Sequence, residues 1–176
     1  MRIETARLVI RTFEPRDAQA WAAMLSDPDV RRYVPPSPVP AVADFSRALE
    51  RRLRMERESG CALWAVEPKA LGTLVGQCGL VPVEGKGPEI EIAYHFAKES
   101  WGNGYATEAA KAVLQYGLQT IGLERIIAIV MPQNVASCRV AEKAGMRFEG
   151  VATYYGIANL RKYAASRTRA RDDRSI

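Results

Sequence analysis

The segment Ser100-Trp101-Gly102-Asn103-Gly104-Tyr105-Ala106-Thr107-Glu108-Ala109 constrains this chain more than any other. It places two glycines between a strand-like run, Glu89–Phe96, and a long helical pattern, Tyr105–Thr120. In that pattern Ala106, Ala109, Ala110, Val113, Leu114, Gly117, Leu118 and Ile121 fall on one apolar stripe, and Gly122 stops it. The first amides of a helix lack intrahelical acceptors, and its N-terminus carries roughly half a positive charge. Glycines at 102 and 104 remove the side chains that would block a close ligand. The segment therefore suits an anion, phosphate above all. The glycines alone leave open a simple turn ahead of an ordinary core helix. A dinucleotide fingerprint would need glycine or alanine three residues beyond Gly104, where Thr107 stands, and would be expected in the first strand–helix–strand unit. A P-loop would end in Gly-Lys-Ser/Thr, which is absent.

Around this element the chain alternates strand and helix signals. Leu8–Arg11 reads as a first strand, followed by a helix from Asp17 carrying Ala18, Trp21, Ala22 and Leu25. Pro35-Pro36-Ser37-Pro38-Val39-Pro40 cannot be helix or sheet interior and reads as an ordered loop over a site. A helix from Asp44 to about Ser59 turns Phe45, Ala48, Leu49 and Leu53 inward. Its arginines (Arg47, Arg51, Arg52, Arg54, Arg57) alternate with Glu50, Glu56 and Glu58 at helical spacing, which predicts a solvated, salt-bridged face. Strands follow at Ala62–Glu67, Thr73–Val83 and Glu89–Phe96, and another at Ile126–Met131 after the long helix. A short helix is capped by Asn134 and Gly145, and strands at Met146–Tyr155 and Leu160–Ser166 close the pattern. This is one mixed α/β domain over 1–166, a sheet of six to seven strands with about four helices, and a basic, flexible tail at 167–176.

Composition narrows the function classes. Apolar residues make up 48% and charged residues 26% of the 176, which is globular and excludes a disordered or collagenous chain. The net charge of +5 invites a nucleic-acid reading, but residues 1–160 carry only +1 and residues 161–176 carry +4. The basicity is a property of the end, which argues against nucleic acid as the partner. Three cysteines, at 61, 78 and 138, form no C-x-x-C pair and leave one odd under any pairing, pointing to a reducing compartment. With one histidine, His95, no metal site is expected. No signal peptide and no run of about 18 apolar residues is present, so a cytoplasmic protein without membrane contact is expected.

Four stretches together resemble the GNAT superfamily of acetyl-CoA-dependent N-acetyltransferases, in the branch similar to ribosomal-protein N-acetyltransferases. They are Thr5-Ala6-Arg7-Leu8-Val9-Ile10-Arg11, Glu91-Ile92-Ala93-Tyr94, the glycine segment, and Asn134-x-x-Ser137 with Glu142-Lys143-x-Gly145. The family's Gln/Arg-x-x-Gly-x-Gly/Ala signature maps onto Trp101-x-x-Gly104-x-Ala106, with Trp101 departing from the usual first residue. The resemblance implies the GNAT fold and acetyl-CoA as cofactor. It implies the coenzyme pyrophosphate on Gly102, Asn103, Gly104, Tyr105, Ala106 and Thr107, and its pantetheine arm beside Tyr94, His95 and Phe96, with Asn134 as a further contact. Many relatives carry a tyrosine as thiolate acid seven positions after the asparagine; here that position is Ala141. Ser137 is the alternative proton donor in this branch, and N-terminal capping is its other reading. Glutamates used as bases by other relatives fall on Ile129 and on Tyr154-Tyr155-Gly156, which leaves Glu91 as the best acidic candidate, with His95, near-neutral in its ordinary pKa, and a water relay as the alternatives. Strand alternation puts Glu91 and His95 on one face and Tyr94 on the other. The expected acceptor is a primary amine, of a protein N-terminus or a small molecule, and dimers are common in similar proteins.

Overall fold

The computed structural model describes residues 1–167. Eight strands form one sheet: β1 Arg2–Glu4, β2 Leu8–Arg11, β3 Leu63–Pro68, β4 Gly76–Pro82, β5 Ile90–Phe96, β6 Arg125–Val130, β7 Arg147–Tyr154 and β8 Ile157–Ser166. Five α-helices accompany them: α1 Ala18–Ser26, α2 Pro28–Arg31, α3 Phe45–Ser59, α4 Tyr105–Gln115 and α5 Val135–Lys143. The sequence expectation of six to seven strands and about four helices is thus corrected by β1 and α2. Both are short: β1 adds three residues that pair back onto β2, and α2 is a single turn started by Pro28 and capped by the Asp27 side chain.

The strand order is β1-β2-β3-β4-β5-β6-β8-β7. Every pairing is antiparallel except β5 with β6, which are parallel and meet at one register position, Glu91 opposite Ile127. By contrast β4 pairs with β5 through seven positions and β6 with β8 through six. Past Glu91 the two central strands therefore part, and the sheet opens into a V.

Side chains alternate across the sheet. One face buries Leu8, Ile10, Trp64, Val66, Cys78, Leu80, Ile92, Phe96, Ile126, Ala128, Val130 and Tyr163 against Ala109, Ala110, Val113 and Leu114 of α4 and Cys138 and Ala141 of α5. The opposite face carries Ala65, packed with Phe13, Trp21, Ala22, Phe45 and Ala48 from α1, α3 and the segment after β2. Arg11 anchors that second face: it is buried and grips Asp17 through two hydrogen bonds of 2.8 and 2.9 Å, with Glu67 at 2.8 Å.

The arginine-rich face expected on α3 is solvated at Arg47, Arg51, Arg54 and Arg57, but its salt bridges and the place of Arg52 are corrected. No ion pair of the described residues joins two α3 side chains, Glu56 instead binds the N-terminal ammonium at 2.7 Å, and Arg52 is buried. The basic end is likewise not a free tail from its start. Lys162, in β8, pairs with Glu89, and Arg167 is tied to Glu124 by its amide and its guanidinium. The rest of the expected tail lies outside the described residues.

Two glycines show how tightly the sheet is built. A Cβ on Gly79 would lie 1.9 Å from the Ala62 carbonyl oxygen, whereas one on Gly117 would meet only the tips of Ile126 and Leu80 at 2.6 Å. Gly79→Ala is expected to cost about 3 kcal/mol or more and Gly117→Ala about 1 kcal/mol; urea midpoints of the two variants check the order.

Candidate active site

The V between β5 and β6 is the centre of a cleft of about 660 Å³. Of the residues singled out in the sequence, Glu91, Tyr94, His95, Phe96, Gly102, Gly104, Tyr105, Ala106, Thr107, Asn134 and Ser137 all line it. Asn103 does not. Its side-chain amide folds back onto the Ser100 and Trp101 carbonyls and its own carbonyl accepts from Arg7 at 2.9 Å.

The glycine loop enters α4 with Gly102 and Gly104 both in the left-handed region, at φ 78°. That conformation is open to glycine at no steric cost. A Cβ at 102 would meet nothing, and one at 104 only the Arg7 guanidinium at 3.4 Å, so the concave side of the loop is clear. Among the described residues no amide from 102 to 107 donates to a protein acceptor. The six N–H groups of residues 102–107 thus have no partner among the described residues. The loop is braced from behind. Arg7 donates to Glu108 at 2.7 Å, Thr5 donates to the same carboxylate at 2.6 Å, and the Arg7 guanidinium lies 5.1 Å from the Tyr105 ring centre. Trp101, the departure from the family signature, donates its indole N–H to the Phe96 carbonyl at 2.8 Å and pins the loop to the end of β5.

On the same face α5 brings Asn134 and Ser137. Asn134 caps the helix, its Oδ1 accepting from the Ser137 amide at 3.1 Å. The Ser137 hydroxyl lies 2.9 Å from the Tyr94 hydroxyl, which also donates to the Ser137 carbonyl at 3.1 Å. Desolvation pushes the Tyr94 phenol well above its ordinary pKa. Arg139 and Lys143, one turn apart, reach the rim.

Glu91 and His95 reach the cleft from the other face, as alternation requires. Glu91 is 8% exposed, and burial pushes its carboxyl up to about 7 despite a hydrogen bond from the Tyr155 hydroxyl. Tyr155 belongs to the Tyr154-Tyr155 stretch that the sequence placed along the acceptor site, and it does line the cleft; its bond to Glu91 was not foreseen. It sits at the β7–β8 hairpin tip at φ 54°, unusual for an aromatic residue, and its amide donates to Glu84 at 2.7 Å. The following Gly156, also at positive φ, was the available signal for a tight hairpin turn there. His95 faces Gln77, its cross-strand partner, and burial together with the Arg52 and Arg31 cations pushes its pKa down to about 4. Its ordinary near-neutral value, which would suit a base, does not hold here. Tyr33, Val34 and Pro35 add a wall from the proline-rich loop. Cys138 is buried in the core. Among the described residues no group of three or more His, Cys, Asp or Glu is placed to hold a metal ion, and no helix is long and apolar enough to cross a membrane.

This architecture has known counterparts. Residues 7–147 match the acetyltransferase (GNAT) domain family. The chain is 38% identical over 149 residues to the uncharacterized protein YkkB of Bacillus subtilis, spanning 84% of this chain and 86% of that one. It superposes with a TM-score of 0.76 on the crystal structure of a GNAT-family acetyltransferase from Bacillus anthracis, at 33% identity over 93% of this chain and 96% of the other. RimJ of Mycobacterium smegmatis, solved in complex with CoA-disulfide, shares the fold at a TM-score of 0.76 and 23% identity, over 90% and 81% of the two chains. The chain belongs to the GNAT family and is an acyltransferase by that membership.

A raised carboxyl pKa is also a stability statement. Native Glu91 binds its proton between the ordinary value of 4.5 and about 7 while the unfolded chain releases it, so stability falls as pH rises through that window. Glu91→Gln removes the buried charge and is expected to stabilise the fold at pH 8 by on the order of 1–3 kcal/mol, with no gain at pH 4. Thermal melts of both proteins across this range check it.

Proposed function

We propose that this protein is an N-acetyltransferase that moves the acetyl group of acetyl-CoA to a primary amine, by direct attack of the amine within a ternary complex. The observation that carries this reading is the single-position bridge between β5 and β6. It opens a passage through the sheet, with six free amides on one face and a buried, proton-binding carboxylate on the other. The coenzyme complex of the structurally similar RimJ supports the choice of ligand. We take residues 1–166 as the catalytic unit.

The fit of the loop to a diphosphate rests on its clear concave side and on the unpaired amides of Gly102, Asn103, Gly104, Tyr105, Ala106 and Thr107. The parted edges of β5 at Tyr94, His95 and Phe96 would take the pantetheine arm by strand-like hydrogen bonds, with Asn134 on the facing wall. Bound acetyl-CoA supplies the thioester. A backbone amide near the end of β5 would donate to the developing oxyanion. Glu91 would accept the proton of the attacking amine, since a carboxyl near 7 is matched to proton transfer at neutral pH. Ser137, 2.9 Å from the Tyr94 hydroxyl, would deliver a proton to the departing sulfur, and Tyr94 can replenish it. The acceptor is a protein N-terminal or small-molecule amine. Its binding site is the face of the cleft bearing Glu91, Tyr155, Tyr33 and Pro35.

Thiol release from acetyl-CoA with a panel of amines tests this reading. Turnover should rise with pH through about 7, as Glu91 loses its proton. Glu91→Gln should lower it by roughly 100-fold or more, and Ser137→Ala by about tenfold, while calorimetry shows cofactor binding retained. Absence of binding at millimolar acetyl-CoA would overturn the reading.

A further inference from the structure

Arg52 projects from α3 into the interior, where it is 6% exposed. Its guanidinium lies 4.4 Å from the Phe13 ring centre and 5.4 Å from that of Trp21. Among the described residues it has no carboxylate partner, and its Nη1 has no hydrogen-bond partner at all. A buried cation without a counter-ion is costly, so what its one ordered contact does is informative.

That contact runs from Nη2 to the Gln77 Oε1 at 2.9 Å, and the Gln77 Nε2 lies 3.1 Å from the His95 Nδ1. Protonation along the chain follows from elementary chemistry. A guanidinium only donates, so the oxygen of Gln77 must face Arg52. The Gln77 nitrogen, which also only donates, is then left facing His95, and Nδ1 must accept. The imidazole is therefore neutral with its proton on Nε2, since an imidazolium would set Nδ1–H against an amide N–H. The low pKa of His95 agrees with this. Nε2 has no partner among the described residues, is not among the buried orphan atoms, and belongs to a residue that lines the cleft. His95 thus presents an N–H donor on the face where the acceptor binds.

The field around that donor is positive. Arg52 stands behind Gln77. Arg31, the other cation felt by His95, donates to the Leu25 and Ser37 carbonyls and meets no carboxylate among the described residues. Of the acidic groups lining the cleft, Asp29 is paired with Lys98 at 2.6 Å and Arg32 at 2.5 Å, and Glu91, which accepts from the Tyr155 hydroxyl, lies four residues along the strand from His95.

We propose that His95 reads the acceptor, its Nε2–H donating to a carboxylate on the amine substrate within the field of Arg52 and Arg31, so that the preferred acceptors are amines bearing a carboxylate. This rests on the acetyl-transfer reading of the same cleft. A polycationic amine acceptor is disfavoured by the field of the same two cations.

Two measurements test it. His95 is the single histidine of the chain, so the imidazole 15N–1H spectrum of the intact protein reports it alone. A proton on Nε2 and a bare Nδ1 between pH 6 and 8 are expected, and a proton on Nδ1 overturns the proposal. The second measurement compares kcat/KM for amino acids, their amides and their decarboxylated amines. The carboxylate member of each set should lead the decarboxylated amine by about 10- to 100-fold, the range for a hydrogen bond to a charged group. His95→Gln, which keeps an N–H donor, should retain most of that ratio, and His95→Phe should reduce it to within about threefold of unity. Because the ratio is taken within one variant, a change in cofactor affinity cancels. A flat or reversed ratio in the unaltered protein overturns the proposal. If no amine is acetylated, the transferase reading fails first. Titration of the Nε2–H resonance then decides for His95: a shift with amino acids supports it, and an equal shift with decarboxylated amines overturns it.

Discussion

Among the described residues, Glu91 opposite Ile127 is the only position at which the two halves of the sheet meet side by side, and the cleft follows from that restriction. β5 is committed to β4 along its whole length and β6 to β8 along its own, so each central strand is held rigid by an antiparallel neighbour. Neither can bend to extend the parallel pairing. The facing edges of β5 and β6 beyond the bridge are left with backbone groups that need partners, in a passage lined from both faces of the sheet. A parallel pair needs a long crossover, and here α4 supplies it, reached from the end of β5 through the glycine loop that Trp101 pins to Phe96. That is why the free amides of the helix start lie beside the parted strand edge.

Burial sorts the titratable groups of this passage. Glu91 and His95 lie on the same face of one strand, and desolvation moves both away from their charged forms, the carboxyl up to about 7 and the imidazole down to about 4. At neutral pH the carboxyl is poised between its two states and the imidazole is fixed in one. The residue whose ordinary pKa suggests proton transfer is thereby made a donor. The residue whose ordinary pKa suggests a simple anion is made exchangeable. Neighbours from distant segments adjust both outcomes: Tyr155 from the β7–β8 tip holds the Glu91 rise in check, while Arg52 from α3 and Gln77 from β4 keep His95 neutral.

The parts legible in the sequence were those fixed by local rules. Alternation in Glu91–Phe96 placed Tyr94 opposite Glu91 and His95, and the glycine spacing located the helix start. Asn134 was readable as a cap from its place ahead of the Val135–Lys143 stripe. Arg52 was not readable: its spacing from neighbouring glutamates is that of a solvated face, and only the fold reveals that Phe13 and Trp21 receive its guanidinium. The Tyr155–Glu91 contact escaped for a similar reason, because the two residues are 64 positions apart and the positive φ of Tyr155 is set by a turn rather than by its side chain. The strand Arg2–Glu4 was too short to show alternation.

Residue-resolved hydrogen exchange with and without coenzyme A tests most directly the claim that the helix start and the parted strands form one ligand site. The amides of residues 102–107, and those of Tyr94–Phe96 not already paired to β4, are expected to gain protection together when the ligand binds. Binding that leaves the 102–107 amides exchanging at their free rates would contradict the account.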